Sequence, residues 1–427
     1  MLTRRHWLLS AAALAAPAPP PNVLLINSDD QRWDTIRALG NPEISTPNLD
    51  NLVRRGFVFR NYYCQGSLEG AVCQPSRTML MTGKTLFRIP GRRTPPDGVP
   101  LLPKAFEAAG YATFHAGKKG NTYLPASQAF QQCLFSEDLT PDRAQQSAKH
   151  ADAFLGFLEK RQKTKPFFAY LAPPVPHDPR IAEDRFMKMY DPAKITLSPD
   201  YMERHPFDNG EMDVRDERLA PWPRTREEMQ KQLAEYYACV TCLDFHIGRI
   251  LQALETQGLL VNTYVIFTSD QGLAVGGRHG LMGKQNLYEH FKAPLIFTGP
   301  GIKPGMTNAL AYVHDMFPTL AAMAQLTVPP GVEGTSLLPI IHRKEKAVRS
   351  HLFGAYKDVQ RMVRDARWKL IWYPKINRYQ LFDLQKDPDE IRDLAADPKE
   401  KFRIAAMKKQ LAAMQEDLGD KAAPRPS

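Results

Sequence analysis

The chain has 427 residues, 43% of them hydrophobic and 24% charged, and a formal net charge of +10. That length accommodates one large α/β core plus a smaller unit, and the composition is that of an ordinary globular protein. A basic surface attracts nucleic acid, acidic membranes or anionic polymers. No helix-turn-helix, zinc-finger or aromatic nucleic-acid signature accompanies the charge, which sets nucleic acid aside, and no run of about 18 apolar residues is present to span a membrane.

Residues 1–18 carry Arg4 and Arg5 and then an apolar, small-residue run from Trp7 to Ala16, too short to cross a bilayer. They read as a signal peptide, by the twin-arginine route or the general secretory one, and predict a periplasmic or secreted protein. Without those two arginines the 56 basic residues become 54 against 46 acidic ones, a net charge of +8. Five cysteines are an odd number for an exported protein, so one stays unpaired or is modified.

Residues 22–27, Asn-Val-Leu-Leu-Ile-Asn, predict a buried parallel strand that ends at Ser28, Asp29 and Asp30. Ligands in open α/β sheets collect at such ends, although paired carboxylates in a turn also serve as helix caps or solvated groups. Leu49, Leu52 and Val53 give residues 47–57 helical spacing, and an aromatic run, 57–63, leads to Cys73, Gln74, Pro75, Ser76 and Arg77 at the entrance of another helix. Free amides and the helix dipole favour an anion there. Taken alone, Cys73 is a nucleophile with Arg77 on its face of the helix, or a buried or disulfide-bonded cysteine.

Residues 104–109 predict a helix stopped at Gly110, and 111–115 a strand running into Gly117 and Lys118. Residues 144–159 are amphipathic, and the strand 166–171 leads into a proline-rich segment that ends at His177, which reads as a loop histidine. Residues 190–226, rich in proline and charge, form a long excursion able to shape a cleft. Residues 236–254 have helical periodicity and contain Cys239 and Cys242. With no strand before it and no second pair, this Cys-x-x-Cys reads as structural burial in preference to redox or metal chemistry.

Residues 261–268 are the clearest buried strand, ending at Ser269, Asp270, Gln271 and Gly272, with His279 and Lys284 beyond it. Residues 294–299 predict a further strand and 314–326 a helix. Past residue 345 the texture changes to short antiparallel strands at 351–356, 361–363, 368–373 and 379–383, followed by an amphipathic helix at 399–418. This alternation predicts an α/β fold: a mostly parallel sheet with helices on both faces over 21–345, and a small α+β subdomain over 346–427.

The pattern Cys-x-Pro-Ser-Arg at 73–77 resembles the signature of the formylglycine-dependent sulfatase family, and the similarity runs nearly end to end. It takes in the Asp29-Asp30 strand, Gly117-Lys118, Pro176-His177, the Ser269-Asp270-Gln271-Gly272 segment and the C-terminal tail. The resemblance implies an alkaline-phosphatase-like architecture and hydrolysis of sulfate monoesters, with Cys73 oxidised to formylglycine by a separate maturation enzyme. It also implies that Asp29, Asp30, Asp270 and Gln271, with modified Cys73, hold a divalent cation. Hard oxygen ligands suit Ca2+ or Mg2+ and not zinc.

Arg77, Lys118, His177 and Lys284 match the family's active-site positions, while His279 either faces the substrate or is structural. Two departures stand out. The family usually adds a histidine two or three residues past its lysine, where this chain has Gly120 and Asn121, and it has Asn or His in place of Gln271. For an exported basic protein of this kind the expected substrate is a sulfated carbohydrate. Three alternatives stay open: a phosphonate monoester or phosphodiester hydrolase with the same nucleophile; a non-catalytic binder of sulfated glycans with Cys73 disulfide-bonded to Cys64; and a cysteine hydrolase, which leaves the aspartates unexplained.

Overall fold

Strand β1 (Asn22–Ser28) is buried along its whole length, as its apolar run requires. The strands that follow are β2 (Phe57–Tyr63), β3 (Gly66–Ser67), β4 (Ala112–Gly117), β5 (Gln132–Phe135), β6 (Phe167–Ala172) and β7 (Thr263–Ser269). Then come β8 (Ala293–Thr298), β9 (Gly305–Tyr312), β10 (Leu352–Tyr356), β11 (Gln360–Arg364), β12 (Trp368–Tyr373) and β13 (Arg378–Asp383). They build an eight-stranded sheet in the order β5-β4-β6-β1-β7-β8-β2-β9 and a five-stranded sheet in the order β13-β12-β11-β10-β3. Only β8 runs antiparallel to its neighbours in the large sheet. This computed structural model describes residues 19–424 and 426, so the expected signal peptide lies outside the described residues.

The large sheet is covered on both faces. Val23 and Leu25 of β1 enter one core with Phe168, Ile266 and Phe297, while Leu24 and Ile26 enter the other with Ala169, Val265 and Phe267. The second core is closed by the long helix Arg226–Thr256, whose Leu243, Ile247, Ile250 and Leu254 recur every three or four residues. Each such side chain contributes about 1.5–3 kcal/mol by leaving water. Cys239 and Cys242 sit on this helix as free thiols packed against Ala182 and Phe186, the structural burial expected of them.

Strand register sets the functional end of the sheet. Asn27 pairs with Thr268 and Ser28 with Ser269, so Asp29-Asp30 and Asp270-Gln271 leave the sheet side by side. Gly117 pairs with Ala172, so Lys118 and the segment ending at His177 emerge at the same carboxyl end. A Cβ at Gly117 would lie 2.6 Å from Cε1 of His115 and 2.9 Å from Cβ of Ala172, which is why glycine precedes the lysine.

Several elements differ from the sequence expectation. The aromatic run 57–63 is a full strand, and β3, β5 and β9 were not anticipated. Strand β7 begins at Thr263, because Leu260–Asn262 is a 3-10 turn that leaves Val261 83% exposed. The helix expected at 314–326 is Met316–Met323, after a 3-10 turn at Val313–Asp315. The last helix is Lys401–Leu418. Strands β10 to β13 are antiparallel as expected, but the sheet is extended by β3, which pairs in parallel with β10. No helix among the described residues is long and apolar enough to cross a membrane.

The two sheets are joined through Glu289. Its carboxylate accepts from Arg364 at 3.0 Å, Lys369 at 3.2 Å, Lys292 at 2.8 Å and the Tyr63 hydroxyl at 2.6 Å. Burial pushes its pKa up, but Arg364, Lys292 and Lys369 together hold it well below the usual carboxylate range. The fold therefore stabilises the ionised form. That contribution is fully present above the unfolded value of about 4.3 and is lost as pH falls through the lower folded value. Glu289→Gln leaves buried cations uncompensated and is expected to destabilise the protein by about 3–5 kcal/mol at neutral pH. In denaturant titrations the gap from wild type should narrow below pH 4; a gap of the same size at pH 3 would show that the charge is not responsible.

Candidate active site

Cys73 is the first residue of the helix Cys73–Thr82, 2% exposed at the carboxyl end of the sheet. Its Sγ lies 3.1 Å from Nζ of Lys284, 3.1 Å from Nε2 of Gln271 and 3.4 Å from Oδ1 of Asp30. Burial, then the charges of Asp29 and Asp30, push the thiol pKa well above its ordinary value. A thiol in that setting is inert as a nucleophile. Cys64 is also a free thiol, donating to the Gly66 carbonyl at 3.5 Å, so the disulfide required by the non-catalytic alternative is not formed.

The turn after β1 is held in a demanding conformation. Asp30 has φ of 65°, a left-handed geometry uncommon for a non-glycine residue. Its amide donates to Oδ1 of Asp270 at 2.9 Å, and its carbonyl accepts from the Tyr236 hydroxyl at 2.6 Å. The bond from the Asp29 amide to the Val175 carbonyl, 3.0 Å, ties the turn to the segment that carries His177.

Cations surround these carboxylates. Arg77 places Nη2 3.3 Å from Oδ2 of Asp29 and Nε 3.2 Å from Oδ2 of Asp270. Nζ of Lys284 lies 2.8 Å from Oδ2 of Asp30, and Lys118, its side chain 21% exposed, sits 3.8 Å from Oδ2 of Asp29. Burial raises the Asp29 pKa, but Arg77, His177 and Lys118 hold it well below the carboxylate range. Asp270 goes the other way: burial, reinforced by Asp29, pushes it up to about 7. Burial opposes the charge on Lys284, yet Asp30 and Cys73 hold its pKa well above the usual lysine value.

His177 lies with Nε2 3.7 Å from Oδ2 of Asp30 and Nδ1 2.7 Å from the Asp178 carbonyl. A carbonyl only accepts, so the proton of the neutral ring resides on Nδ1 and Nε2 turns a lone pair toward the site. Burial, aided by Lys284, lowers its pKa from 6.5.

One ligand atom each from Asp29, Asp30, Cys73 and His177 lie within 4.8 Å of one another. Oδ1 of Asp29 and Oε1 of Gln271 are buried without a hydrogen-bond partner. Turning the Gln271 amide about its last torsion would bring its oxygen to where Nε2 now faces Asp30 and Cys73. Crowded carboxylates, two unpartnered oxygens and an oxygen-rich donor set fit a hard divalent cation. Asp270 lies behind this cluster, its Oδ1 accepting from the amides of Asp30 and Gln271 at 2.9 and 3.0 Å.

All the residues singled out at 29, 30, 73, 77, 118, 177, 270, 271 and 284 therefore converge. His279 does not join them: it stacks on Tyr288 at 3.9 Å, and its ring contacts Asp200 and the Glu390 carbonyl, a structural placement. Neighbours with no role assigned from the sequence also reach the site. Nδ2 of Asn121 donates to Oδ2 of Asp29 at 3.3 Å, near where the family usually has its histidine. Arg215 and Asp216, from the long excursion, approach from the other side.

Comparison with known proteins agrees with this geometry. The sulfatase family model matches residues 21–326, and a model described as N-sulphoglucosamine sulphohydrolase, C-terminal, matches 277–417. An arylsulfatase of Clostridium perfringens is 26% identical over 91% of this chain and 93% of its own length. Human arylsulfatase A is 28% identical over 90% and 85%, and an N-acetylglucosamine-6-O-sulfatase of Bacteroides thetaiotaomicron 26% over 90% and 86%. Among solved structures, BT4656 in complex with its substrate D-glucosamine-2-N,6-O-disulfate superimposes with a TM-score of 0.78 at 23% identity, covering 94% of this chain and 99% of that one. The phosphonate monoester hydrolase of Agrobacterium radiobacter gives 0.79 at 21% identity, covering 93% and 96%. The chain belongs to the sulfatase family of hydrolases, within the alkaline-phosphatase-like superfamily.

Proposed function

We propose that the chain hydrolyses sulfate monoesters on a sulfated carbohydrate, with formylglycine made from Cys73 as its nucleophile and a divalent cation, Ca2+ in preference to Mg2+, beside it. The observation that carries the reading is Nζ of Lys284 lying 3.1 Å from Sγ of Cys73 and 2.8 Å from Asp30, a fixed cation between the nucleophile's position and the acidic cluster. The sulfated amino sugars named for two of the similar proteins support the substrate class. An exported protein would meet such polymers outside the cytoplasm, after maturation by the enzyme that oxidises Cys73.

The hydrated aldehyde of formylglycine supplies a hydroxyl for in-line attack on sulfur and a second hydroxyl whose collapse releases sulfate. Asp29, Asp30, Asp270 and Gln271 would hold the cation, which when bound offsets negative charge on the sulfate and favours ionisation of that hydroxyl. Everything else falls to the chain's own side chains. Arg77, locked between Asp29 and Asp270, fixes the carboxylates against mutual repulsion. Lys118, at the mouth, meets a sulfate oxygen, and the amides that open helix Cys73–Thr82 add to the anion's stabilisation. Lys284 carries its proton throughout the neutral range and donates toward the departing alcohol. When charged, His177 grips the sulfate through its Nε2–H and shares that proton transfer.

The nucleophile is tested by peptide mass spectrometry across Cys73 in protein from a host with the maturation enzyme. The aldehyde should replace the thiol, and protein left unoxidised should resist alkylation at Cys73 near pH 8 until it is unfolded. Cys73→Ser should lose multiple turnover, stalling as a sulfated protein or remaining inactive, because serine has no second hydroxyl with which to expel sulfate. Turnover of aryl sulfate by that variant at the wild-type rate would eliminate the mechanism, and preference for aryl phosphonate over aryl sulfate in the wild type would reassign the substrate.

The cation has a readout independent of catalysis. Adding Ca2+ to chelator-treated protein should raise the melting temperature, by the equivalent of about 2.7 kcal/mol at a hundredfold excess over Kd. Asp29→Asn should abolish most of that rise. Equal rises in wild type and variant would place the ion elsewhere.

A further inference from the structure

Three carboxylates alternate with Lys284, Arg215 and the imidazole of His177 in a closed ring of six groups at the leaving-group side of the site. Asp30 meets Nε2 of His177 at 3.7 Å and Nζ of Lys284 at 2.8 Å. On the far side, Nδ1 of His177 lies 3.5 Å from Oδ1 of Asp178, and Nζ of Lys284 lies 3.9 Å from Oδ2 of Asp216. Arg215 closes the ring. Its Nη1 donates to Oδ1 of Asp178 at 2.9 Å and to Oδ1 of Asp216 at 2.8 Å, while its Nη2 pairs with the other oxygen of Asp178. The Arg215 side chain is 56% exposed, whereas those of Asp178 and Asp216 are nearly buried, at 9% and 8%. A guanidinium at the surface therefore bridges two carboxylates that stand directly behind the two proton-bearing residues.

We propose that Arg215 is the positioning residue for proton delivery: by neutralising Asp216 and Asp178 it keeps Lys284 on Asp30 and beside Cys73, and keeps His177 turned inward. This rests on the assignment of His177 and Lys284 to the leaving group made above. The physical argument is a competition. Lys284 has two carboxylates within reach, Asp30 at 2.8 Å and Asp216 at 3.9 Å, and in a buried setting a free carboxylate attracts an ammonium strongly. With Arg215 and Gln285, whose Nε2 donates at 2.9 Å, already satisfying Asp216, Asp30 wins. Without the guanidinium, Asp216 is left with uncompensated charge and draws Nζ about an ångström outward, off the reacting centre. Asp178 is released at the same time and can take the Nδ1 proton of His177 from its own carbonyl, turning the ring.

Arg215 itself contacts Asp178 and Asp216 and not the nucleophile, so its loss should be felt most where the leaving oxygen needs a proton. The experiment compares Arg215→Ala, Asp216→Asn and the double variant on two esters, an aryl sulfate with a good leaving group and an alkyl or sugar sulfate with a poor one. Arg215→Ala is expected to lower kcat on the poor leaving group by about 10²-fold, with KM little changed and a loss of only about fivefold on the aryl ester. Removing the competing charge in the double variant should recover about tenfold of the kcat lost, and Arg215→Lys, able to neutralise but not to bridge, should fall between wild type and alanine. Equal losses on both esters, or losses that simply multiply in the double variant, would make Arg215 a structural residue and overturn the proposal. Should the wild type cleave no sulfate ester, the function proposed above fails, and the same ratio is measured on aryl and alkyl phosphonate esters, where either result decides the role of Arg215.

Discussion

Mutual repulsion among Asp29, Asp30 and Asp270 is the constraint around which the rest of the site is arranged. Parallel pairing of β1 with β7 brings the three carboxylates to one sheet end, where water is largely excluded and none can be screened. Arg77, from the helix that also carries Cys73, divides its guanidinium between Asp29 and Asp270, and Lys284 takes Asp30. Asp270 is pushed up to about 7 by burial and by Asp29. Such a cluster stores a demand for positive charge, which the proposed divalent cation would answer. The strained backbone at Asp30 fits the same picture, since the surrounding hydrogen bonds fix a conformation the residue would not choose alone.

Much of this was legible in the sequence, for reasons that differ from residue to residue. Buried parallel strands such as 22–27 are short, continuous and apolar, and polar residues directly after them mark the carboxyl end of the sheet. That logic located Asp29, Asp30, Lys118, His177 and Asp270. Strands with mixed composition were hidden: Gln132–Phe135 and Gly305–Tyr312 lie at the two edges of the large sheet, where one neighbour suffices and apolar patterning is weak. The start of β7 was misplaced because Val261 is apolar yet exposed in a turn. Arg215 and Asp216 were invisible for another reason. Their partners are distant along the chain, and nothing local distinguishes a bridging arginine from a solvated one.

The modification proposed for Cys73 illustrates how far burial can separate the chemistry of a residue from that of its modified form. As a thiol it is enclosed by carboxylates and by low-dielectric surroundings that suppress the thiolate. A carbonyl hydrate at the same position carries no charge until it reacts, so the environment that silences a thiol does not penalise it in the ground state. In the proposed mechanism Lys284 and the helix start would act only as charge develops, which is where electrostatic stabilisation accelerates a reaction.

The C-terminal sheet would have a role in the proposed chemistry although none of the residues assigned to the site lies on it. Lys284 is carried by the connection between β7 and β8, a stretch with no regular structure beyond a 3-10 turn at Glu289–Phe291. Loops of that length are ordinarily mobile, and a mobile lysine would not hold 2.8 Å to Asp30 in a buried pocket. The small sheet supplies the missing rigidity. Gln360 of β11 donates to the Gln285 carbonyl at 3.1 Å and accepts from the Leu287 amide at 3.3 Å, and Gln380 of β13 accepts from the Tyr288 hydroxyl at 2.6 Å. Residues 270–297 are consequently buried throughout. On the proposed mechanism, a substitution on β11 or β13 would reach catalysis through the position of Lys284, without touching substrate.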